Sequence, residues 1–168
     1  MSQPAGEIRE QLVALLPRLR RFARALSRNV DDADDLVQVA IERTLTRLDQ
    51  WRPGTRLDSW MFGIIKNAWI DEVRSRRRRE RVLAPEEAGA QVADAAGEAH
   101  IERLSLAAAM DRLPDEQRLA VALVLVEGLA YKEAAEVLEV PIGTVTSRLA
   151  RGREALEALL GGREGGTS

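Results

Sequence analysis

The chain has 168 residues, of which 45% are hydrophobic and 4% aromatic, and its formal net charge at pH 7 is −2. This length suits one domain or two small ones with ordinary cores. The absence of cysteine and the single histidine exclude a disulfide framework and a thiolate metal site. The acidic start is not typical of a signal peptide, and the longest apolar run, LAVALVLV at residues 119–126, is too short to span a bilayer. We therefore expect a cytoplasmic protein.

Charge is distributed unevenly along the chain. Residues 1–81 contain 17 Lys and Arg against 12 Asp and Glu, whereas residues 82–102 contain 5 acids and no Lys or Arg. The apolar residues, mostly Ala, Leu, Ile and Val, recur at helical rather than alternating spacing. We therefore predict an all-α protein of two small helical domains, residues 8–81 and 104–160, joined by a flexible acidic linker at residues 82–103.

Two amphipathic helices open the first predicted domain. The first spans residues 8–27, and its expected buried face consists of Leu12, Leu15, Leu16, Leu19, Phe22, Ala23 and Leu26. Asn29 ends this helix, and Asp31 or Asp32 is expected to cap the next. The second helix, residues 32–51, is expected to bury Val37, Ile41, Leu45 and Leu48. The four acidic residues at its start interact favourably with the helix dipole, so no metal site is needed to account for them.

A loop and a basic helix follow. The loop RPGTRLD, residues 52–58, contains two helix breakers and two arginines. In the helix that begins at residue 59, Trp60, Met61, Ile64, Ile65 and Ala68 form a wide apolar face, so Trp60 and Trp69 are expected in the core. Asn67, Asp71 and Arg74 lie on another face, and the helix continues into four consecutive arginines, residues 76–79. These arginines repel one another and exceed what a helix end needs, which favours a polyanionic partner.

The last part of the chain predicts two short helices joined by a tight turn. Val145, Leu149, Gly152, Leu156 and Leu160 form one face of the second helix, and Tyr131, Ala134, Ala135 and Leu138 form a stripe on the first. Pro141 cannot continue the first helix, and Gly143 is expected to permit the turn. The pattern fits a helix-turn-helix whose second helix enters the major groove, and it fits an ordinary helical hairpin equally well.

No enzymatic site is recognisable in the sequence. The chain has no nucleophile accompanied by a base, no phosphate-binding glycine loop and no histidine cluster. We therefore expect a protein that binds without catalysing a reaction, with no cofactor and no metal. The alternatives that remain are a stand-alone helix-turn-helix regulator, a protein-interaction module without DNA activity and, most remotely, an enzyme.

Three segments in this order resemble a known family. They are DADDLVQVAIERTLTRLDQW at residues 32–51, SWMFGIIKNAWIDEVRSRRRR at residues 59–79, and LPDEQRLAVALVLVEGLAYKEAAEVLEVPIGTVTSRLARGREAL at residues 113–156. Together they resemble the extracytoplasmic-function (ECF) sigma factors of the bacterial sigma-70 family, with residues 8–81 similar to the sigma-2 domain and 104–160 to the sigma-4 domain. The resemblance favours the helix-turn-helix over the plain hairpin.

The resemblance implies three sets of site residues. Contact with the core of RNA polymerase would involve Asp35, Leu36 and Gln38. Contact with the −10 promoter element, including capture of a flipped base by the loop, would involve Arg52, Thr55, Arg56, Asp58, Lys66, Asn67, Asp71, Arg74, Arg76, Arg77, Arg78 and Arg79. Contact with the −35 element would involve Arg118, Lys132, Thr144, Thr146, Ser147, Arg148 and Arg151, of which Arg148 and Arg151 are expected to reach base edges. Family members often carry Glu after DLVQ, where this chain has Val39, which puts one polymerase contact in doubt.

The resemblance also implies the protein's role and its control. A relative of these proteins would be an alternative sigma factor that directs promoter recognition in a stress or envelope response and is restrained by an anti-sigma factor. We expect a compact or partner-clamped resting state, in which residues 35–38 and residues 144–151 cannot both be engaged. On the polymerase we expect an extended state, which the predicted linker is long enough to permit.

Overall fold

The computed structural model describes residues 5–27, 29–52, 54–83 and 105–161. All regular elements in these ranges are helical, which confirms the all-α prediction. The α-helices are α1 (Ala5–Leu26), α2 (Val30–Thr46), α3 (Leu57–Leu83), α4 (Leu106–Arg112), α5 (Asp115–Val121), α6 (Tyr131–Leu138) and α7 (Ile142–Leu159). A 3₁₀ turn, Leu48–Gln50, follows α2, and a π-helical turn, Ala122–Val126, continues α5. The predicted linker lies outside the described residues from residue 84 onward.

Helices α1, α2 and α3 pack against one another and form the N-terminal half. The predicted face of α1 is buried at Leu12, Leu19, Phe22, Ala23 and Leu26, and half-buried at Leu15 and Leu16. The Phe22 ring meets the Phe62 ring of α3 edge to face, with the ring centroids 5.0 Å apart. This pair lies in the centre of the three-helix core, where aromatic rings contribute large apolar areas.

Helix α2 begins earlier and buries a different face than its large apolar residues predict. The side chain of Asn29 accepts a hydrogen bond of 2.8 Å from the Asp32 amide, so the prediction that Asp31 or Asp32 caps the helix is wrong. Val37 is buried as predicted, Ile41 and Leu48 are half-buried, and Leu45 is 50% exposed. The buried face consists of Ala33, Leu36, Val37, Ala40 and Thr44. Small residues on this face allow α2 to pack close to α1 and α3. Leu45 lies outside this buried face and therefore points towards solvent.

Helices α4 to α7 form the C-terminal half, which contains the predicted helix-turn-helix. The second helix of the motif, α7, buries Val145, Leu149, Gly152 and Leu156 as predicted, and Leu160 beyond its end is half-buried. The first helix, α6, buries Ala134, Ala135 and Leu138, whereas Tyr131 lies on the exposed side. Gly152 faces α5 so closely that a Cβ atom there would lie 2.7 Å from Cγ2 of Val121. The glycine therefore sets the close approach of α7 to α5.

The turn of this motif depends on Glu139 rather than on glycine. Glu139 has a φ of +58°, in the left-handed region, and the Val140 amide donates to the Ala135 carbonyl over 3.1 Å as the helix ends. Gly143 lies inside α7 in an ordinary helical conformation. The prediction that Gly143 makes the turn is therefore wrong, because the chain reverses at the end of α6, before Pro141. A non-glycine residue in this conformation is strained by contact between its Cβ and the backbone.

The two halves pack against each other. Helix α1 contacts α4, α5 and the π-helical turn, and α3 contacts α6. In the part of the chain that the structure describes, no helix combines the length and apolar character needed to cross a membrane. The same residues contain no group of three or more acidic or histidine side chains that could hold a metal ion.

The close packing at Gly152 predicts opposite effects of the same substitution at two positions in α7. Gly152→Ala should destabilise the protein by about 1–3 kcal/mol, because the new methyl group overlaps the stiff side chain of Val121. Gly143→Ala should instead stabilise it by about 0.5–1 kcal/mol, because alanine favours the helix and open space surrounds that position. Urea denaturation measures both effects. A Gly152→Ala variant as stable as the parent would show that α5 and α7 are not packed this closely.

Candidate nucleic-acid interface

The exposed face of α7 carries the polar residues expected of a recognition helix. Thr146, Ser147 and Arg151 are exposed, and Thr144 and Arg148 are half-buried. The Thr146 hydroxyl donates to the Ile142 carbonyl over 3.1 Å, and the Arg148 guanidinium lies 3.7 Å from the Glu116 carboxylate of α5. The helix therefore presents hydroxyls and a guanidinium towards solvent within its first three turns, the geometry by which helices read the major groove.

The long helix α3 presents the second predicted surface. Asn67, Asp71 and Arg74 are exposed on one side, as predicted, and Asp71 forms a 3.2 Å ion pair with Arg43 of α2. Three of the consecutive arginines form ion pairs, which join Arg76 to Asp32 at 3.4 Å, Arg77 to Asp115 at 2.6 Å and Arg79 to Glu72 at 3.4 Å. Arg78 is exposed. The surface of α3 is thus basic and solvent-facing over its last turns, which suits a phosphate backbone.

The loop before α3 is organised around a buried carboxylate. The Asp58 side chain accepts hydrogen bonds from Arg56 at 3.1 and 2.7 Å and from Arg18 of α1 at 2.9 Å. Although burial favours the neutral acid, the hydrogen bonds from Arg56 and Arg18 hold the pKa of Asp58 below its ordinary value. The hydrogen bond to Asp58 likewise raises the pKa of Arg56. Asp58 is therefore placed to position Arg56 rather than to contact a strand itself.

The rest of the loop is shaped by a hydrogen bond to its backbone and by the backbone conformation of a glycine. The Thr55 hydroxyl donates to the Arg52 carbonyl over 2.6 Å, and Gly54 has a φ of +96°, which suits only glycine. Arg52, Thr55 and Arg56 are exposed. They line a cleft of about 710 Å³ between the halves, together with Trp60, Lys66 and Asn67 of α3 and with Glu133, Glu136 and Glu139 of α6.

The predicted polymerase-contact segment lies on α2 and is only partly exposed. Asp35 and Gln38 face solvent, whereas Leu36 is 7% exposed and packs in the core. Val39, which follows, is exposed. Asp35, Leu36 and Val39 also line a groove of about 510 Å³ between α2 and α3. Contact with a partner at this face therefore relies on Asp35 and Gln38, with Leu36 reachable only from the groove.

Two of the predicted DNA contacts are buried between the halves. Arg118 is 8% exposed, and its guanidinium donates to the carbonyls of Leu26 at 2.9 Å, Asp111 at 2.7 Å and Leu113 at 3.0 Å, with its terminal carbon 5.7 Å from the Trp69 ring centre. Lys66 is 5% exposed, and its ammonium group donates to the Val137 carbonyl over 2.9 Å. Neither side chain can reach a phosphate while the halves are packed in this way. Lys132, by contrast, is exposed at the start of α6.

The sequence analysis missed a charged cluster at the same junction. Glu127 has no exposed side-chain surface, and it accepts hydrogen bonds from Arg21 at 2.9 and 2.8 Å and from Arg18 at 3.4 Å. The hydrogen bonds to Glu127 raise the pKa of Arg21. One signal was available, since Glu127 directly follows the apolar run at residues 119–126, but nothing near it in sequence identifies its partners.

Comparison with known proteins shows two family matches and several relatives of similar length. The family description "Sigma-70 region 2" matches residues 12–79, and "Sigma-70, region 4" matches residues 103–156. The chain is 39% identical over 153 residues to "ECF RNA polymerase sigma factor EcfG" of Rhodopseudomonas palustris, covering 91% of this chain and 84% of that protein. It is 38% identical over 143 residues to the sigma factor SigM of Mycobacterium tuberculosis, covering 85% of this chain and 71% of the relative.

Solved structures show the same fold. The sigma factor RpoE of Bartonella quintana, in complex with the anti-sigma factor NepR, aligns with a TM-score of 0.71 at 30% identity, covering 91% of this chain and 96% of that one. CnrH, in complex with the cytosolic domain of CnrY, aligns with a TM-score of 0.65 at 26% identity, covering 89% of this chain and 85% of that one. The chain therefore belongs to the extracytoplasmic-function family of RNA polymerase sigma factors.

The buried position of Arg118 predicts a structural role that can be separated from DNA binding. Arg118→Met should destabilise the protein by about 2–4 kcal/mol, because three carbonyls, two of them in buried hydrogen bonds, lose a charged donor. Lys132→Met removes the same charge from an exposed site and should change stability by less than about 0.5 kcal/mol. Chemical denaturation without DNA measures both variants. Equal stability of the two variants would show that the buried hydrogen bonds of Arg118 do not stabilise the junction.

Proposed function

We propose that the protein is an alternative sigma factor that binds the core of RNA polymerase and directs it to promoters with a −35 and a −10 element. The observation that carries this proposal is the pairing of two surfaces in one chain, a helix-turn-helix with a polar second helix and a long helix with a basic exposed face. The long helix lies in the part of the chain that matches sigma-70 region 2, and the helix-turn-helix lies in the part that matches region 4. A stand-alone helix-turn-helix regulator would use only the first of these surfaces.

In this proposal α7 reads the −35 element as duplex DNA. Arg148 and Arg151 are the candidates for hydrogen bonds to base edges, because a guanidinium can bind guanine through two donors. Thr144, Thr146 and Ser147 lie nearer the start of the helix and would contact phosphates or bases beside them. Lys132 would meet the backbone from α6. A phosphate contact from Arg118 would require the halves to separate.

The loop at residues 52–58 and the exposed side of α3 would hold the −10 element as separated strands. Arg52, Thr55 and Arg56 line the cleft in which a flipped base would lie, and Asp58 would hold Arg56 in place. Asn67, Asp71, Arg74 and the arginines at 76–79 would follow the strand along the helix. Unstacking costs a few kcal/mol per base, and binding of the free strand offsets that cost. The proposed mechanism is therefore preferential binding of melted DNA, without covalent chemistry.

Control by an anti-sigma factor forms part of the proposal. One of the solved structures with this fold is the sigma factor RpoE in complex with the anti-sigma factor NepR, and another is CnrH in complex with the cytosolic domain of CnrY. We propose that this chain is likewise held by an anti-sigma factor until a stress or envelope signal releases it. Such a protein would compete with polymerase for the exposed face of α2.

The first functional prediction concerns the α2 face. The double variant Asp35→Ala, Gln38→Ala should weaken binding to core polymerase without changing helical content, because both side chains are exposed and point away from the core. The matched control is Glu10→Ala, Gln11→Ala, which removes similar exposed side chains from α1. Titration of labelled core polymerase measures the affinities. Equal affinity of the double variant and its control would reject α2 as the contact and weaken the sigma proposal.

The second functional prediction concerns α7. Arg148→Ala and Arg151→Ala should each cost about 1–3 kcal/mol on the preferred −35 sequence and should relax preference at one base pair. Arg153→Ala is the control, since Arg153 is exposed but lies on another side of the same helix. Selection of bound DNA duplexes from a pool of randomised sequences measures both the loss of affinity and the change in base preference. If both variants weaken binding equally on all sequences, the two arginines contact phosphates and other residues read the bases.

A further inference from the structure

The loop at residues 52–58 carries an exposed hydroxyl group between two arginines. Thr55 lies three positions after Arg52 and directly before Arg56, and all three residues are exposed. Trp51 and Leu57, which are 7% and 6% exposed, hold the two ends of this segment in the core. The hydroxyl therefore lies on a solvent-facing turn between two buried anchor residues, with a cation close by in sequence on either side.

The turn that carries this hydroxyl is held by hydrogen bonds at the surface. Thr55 donates twice to the Arg52 carbonyl, from its hydroxyl over 2.6 Å and from its amide over 3.2 Å. Gly54, within the turn, has a φ of +96° and is surrounded by open space. The exposed residues of the turn contribute no side chain to the core, so its opening breaks only these bonds. A modifying enzyme can therefore reach an extended form of the segment through local opening, without unfolding of the domain.

The surroundings of Thr55 distinguish it from the other hydroxyls that the structure describes. Elsewhere in the described part of the chain, serines and threonines lie within helices, except Ser27 and Ser105. Ser27 also follows an arginine, Arg24, by three positions, but it is half-buried at the end of α1. The Ser105 oxygen accepts the capping hydrogen bond from the Ala108 amide over 3.2 Å. Among these described hydroxyls, Thr55 combines exposure, a position outside the helices and an arginine at this spacing.

We propose that Thr55 is a phosphorylation site for a serine/threonine kinase that recognises an arginine three residues before its substrate hydroxyl. Kinases of this kind select substrates by charge. The Thr55 hydroxyl oxygen attacks the γ-phosphorus of ATP, and a new oxygen–phosphorus bond forms as the bond from the γ-phosphorus to the β,γ-bridging oxygen breaks. ADP leaves, and the hydroxyl proton passes to the catalytic carboxylate of the kinase.

The regulatory consequence rests on the proposed −10 role of the loop. Phosphorylation adds about 1.5 to 2 negative charges at pH 7, and it removes the hydroxyl proton that the Arg52 carbonyl accepts. Arg52 and Arg56 can each bind a phosphate through two donors. Arg56 is bound by Asp58 and Glu133, and a phosphate dianion carries more charge than either carboxylate. The phosphate on the loop therefore competes with the DNA strand for the same cations and repels the strand's own phosphates.

The modification should act on one of the two proposed DNA surfaces. The cleft that Thr55 lines is formed by the loop, by residues before it and by α3 and α6, and its described lining includes no residue of α7. The surface proposed to read the −35 element therefore keeps its charge and its exposed hydroxyls. A phosphorylated chain should still bind duplex DNA through α7 but should bind the separated strand weakly, so the loop would control promoter opening rather than promoter binding.

The first test measures whether Thr55 accepts phosphate. The full chain is incubated with Mg²⁺, γ-labelled ATP and a purified kinase domain selective for arginine at this spacing, and mass spectrometry identifies the modified residue. Thr55→Ala should abolish labelling of the loop. Arg52→Gln should slow it about tenfold, the effect expected when one charge-assisted contact to the kinase is lost. Ser27→Ala is the control, because it removes the other hydroxyl with the same arginine spacing, and it should be labelled as the parent is.

The second test measures the effect of the phosphate on strand binding. Phosphorylated and unphosphorylated chains are compared for affinity to a fluorescein-labelled oligothymidylate, a single strand without secondary structure, over a series of salt concentrations. Phosphorylation should lower the affinity at least about fivefold at low salt and reduce the slope of log affinity against log salt by about 1.4, because two contacts to strand phosphates are lost. Treatment with a phosphatase should restore both values, and circular dichroism establishes that the fold is kept.

The outcomes decide both parts of the inference. Phosphate on Thr55 that weakens strand binding and makes its salt dependence shallower supports the inference. Labelling of other residues with none on Thr55 would overturn the site, and phosphate on Thr55 without a change in strand affinity would overturn its regulatory role. Binding of the unphosphorylated parent to core polymerase is measured in parallel. Absence of that binding would reject the proposed sigma function, whereas labelling of Thr55 does not depend on it.

Discussion

Buried charge at the junction of the two halves is the constraint on which the rest of the structure depends. Glu127, Arg118 and Lys66 each bury a charged group, and each has at least one of its hydrogen-bond partners in the other half. None of these groups could remain in the closed interior without those partners, because desolvation of an unpaired charge is strongly unfavourable. The relative position of the halves and the burial of these side chains therefore depend on each other.

The same constraint explains how the halves could separate. A buried ion pair contributes little net stability, since its attraction is largely offset by the desolvation of both groups. On separation, Glu127 and its arginines regain water, and the arginines become available to another polyanion. A junction that contains buried charge is therefore easier to exchange for DNA or a partner protein than a wholly apolar junction of equal area would be. Apolar residues are buried in both halves, among them Phe22 and Phe62 in one and Leu123, Val145 and Leu149 in the other, and they belong to one continuous cluster.

Local patterns predicted α1, α2, α3, α6 and α7 and the two exposed polar surfaces, because the spacing of apolar residues reports which side of a helix is buried. Asn67, Asp71 and Arg74 on α3, and Thr146, Ser147 and Arg151 on α7, are exposed as the sequence predicts. The pattern failed on α2, where the buried face contains Ala33, Ala40 and Thr44, and Leu45 is exposed. Small residues give a weak hydrophobic signal, so the sequence pattern wrongly favours the larger Leu45 over them.

The junction could not be predicted in this way. Arg18 and Glu127 are separated by 109 positions in the chain, and Lys66 and Val137 by 71. A basic residue on a helix looks the same in the sequence whether it faces solvent or a carboxylate in the other half. The left-handed conformation of Glu139 has no sequence signal either, because glycine is the residue expected there. The roles of the site residues in binding polymerase and promoter remain proposals.

Transcription by purified bacterial core polymerase, from a library of randomised upstream DNA with and without the protein, tests the sigma function most directly. We predict that the protein adds new transcripts. Their start sites should lie at a fixed distance downstream of two shared sequence motifs, which correspond to the −35 and −10 elements. Transcripts identical in number and start position to those of core polymerase alone would contradict the assignment of promoter recognition to this chain.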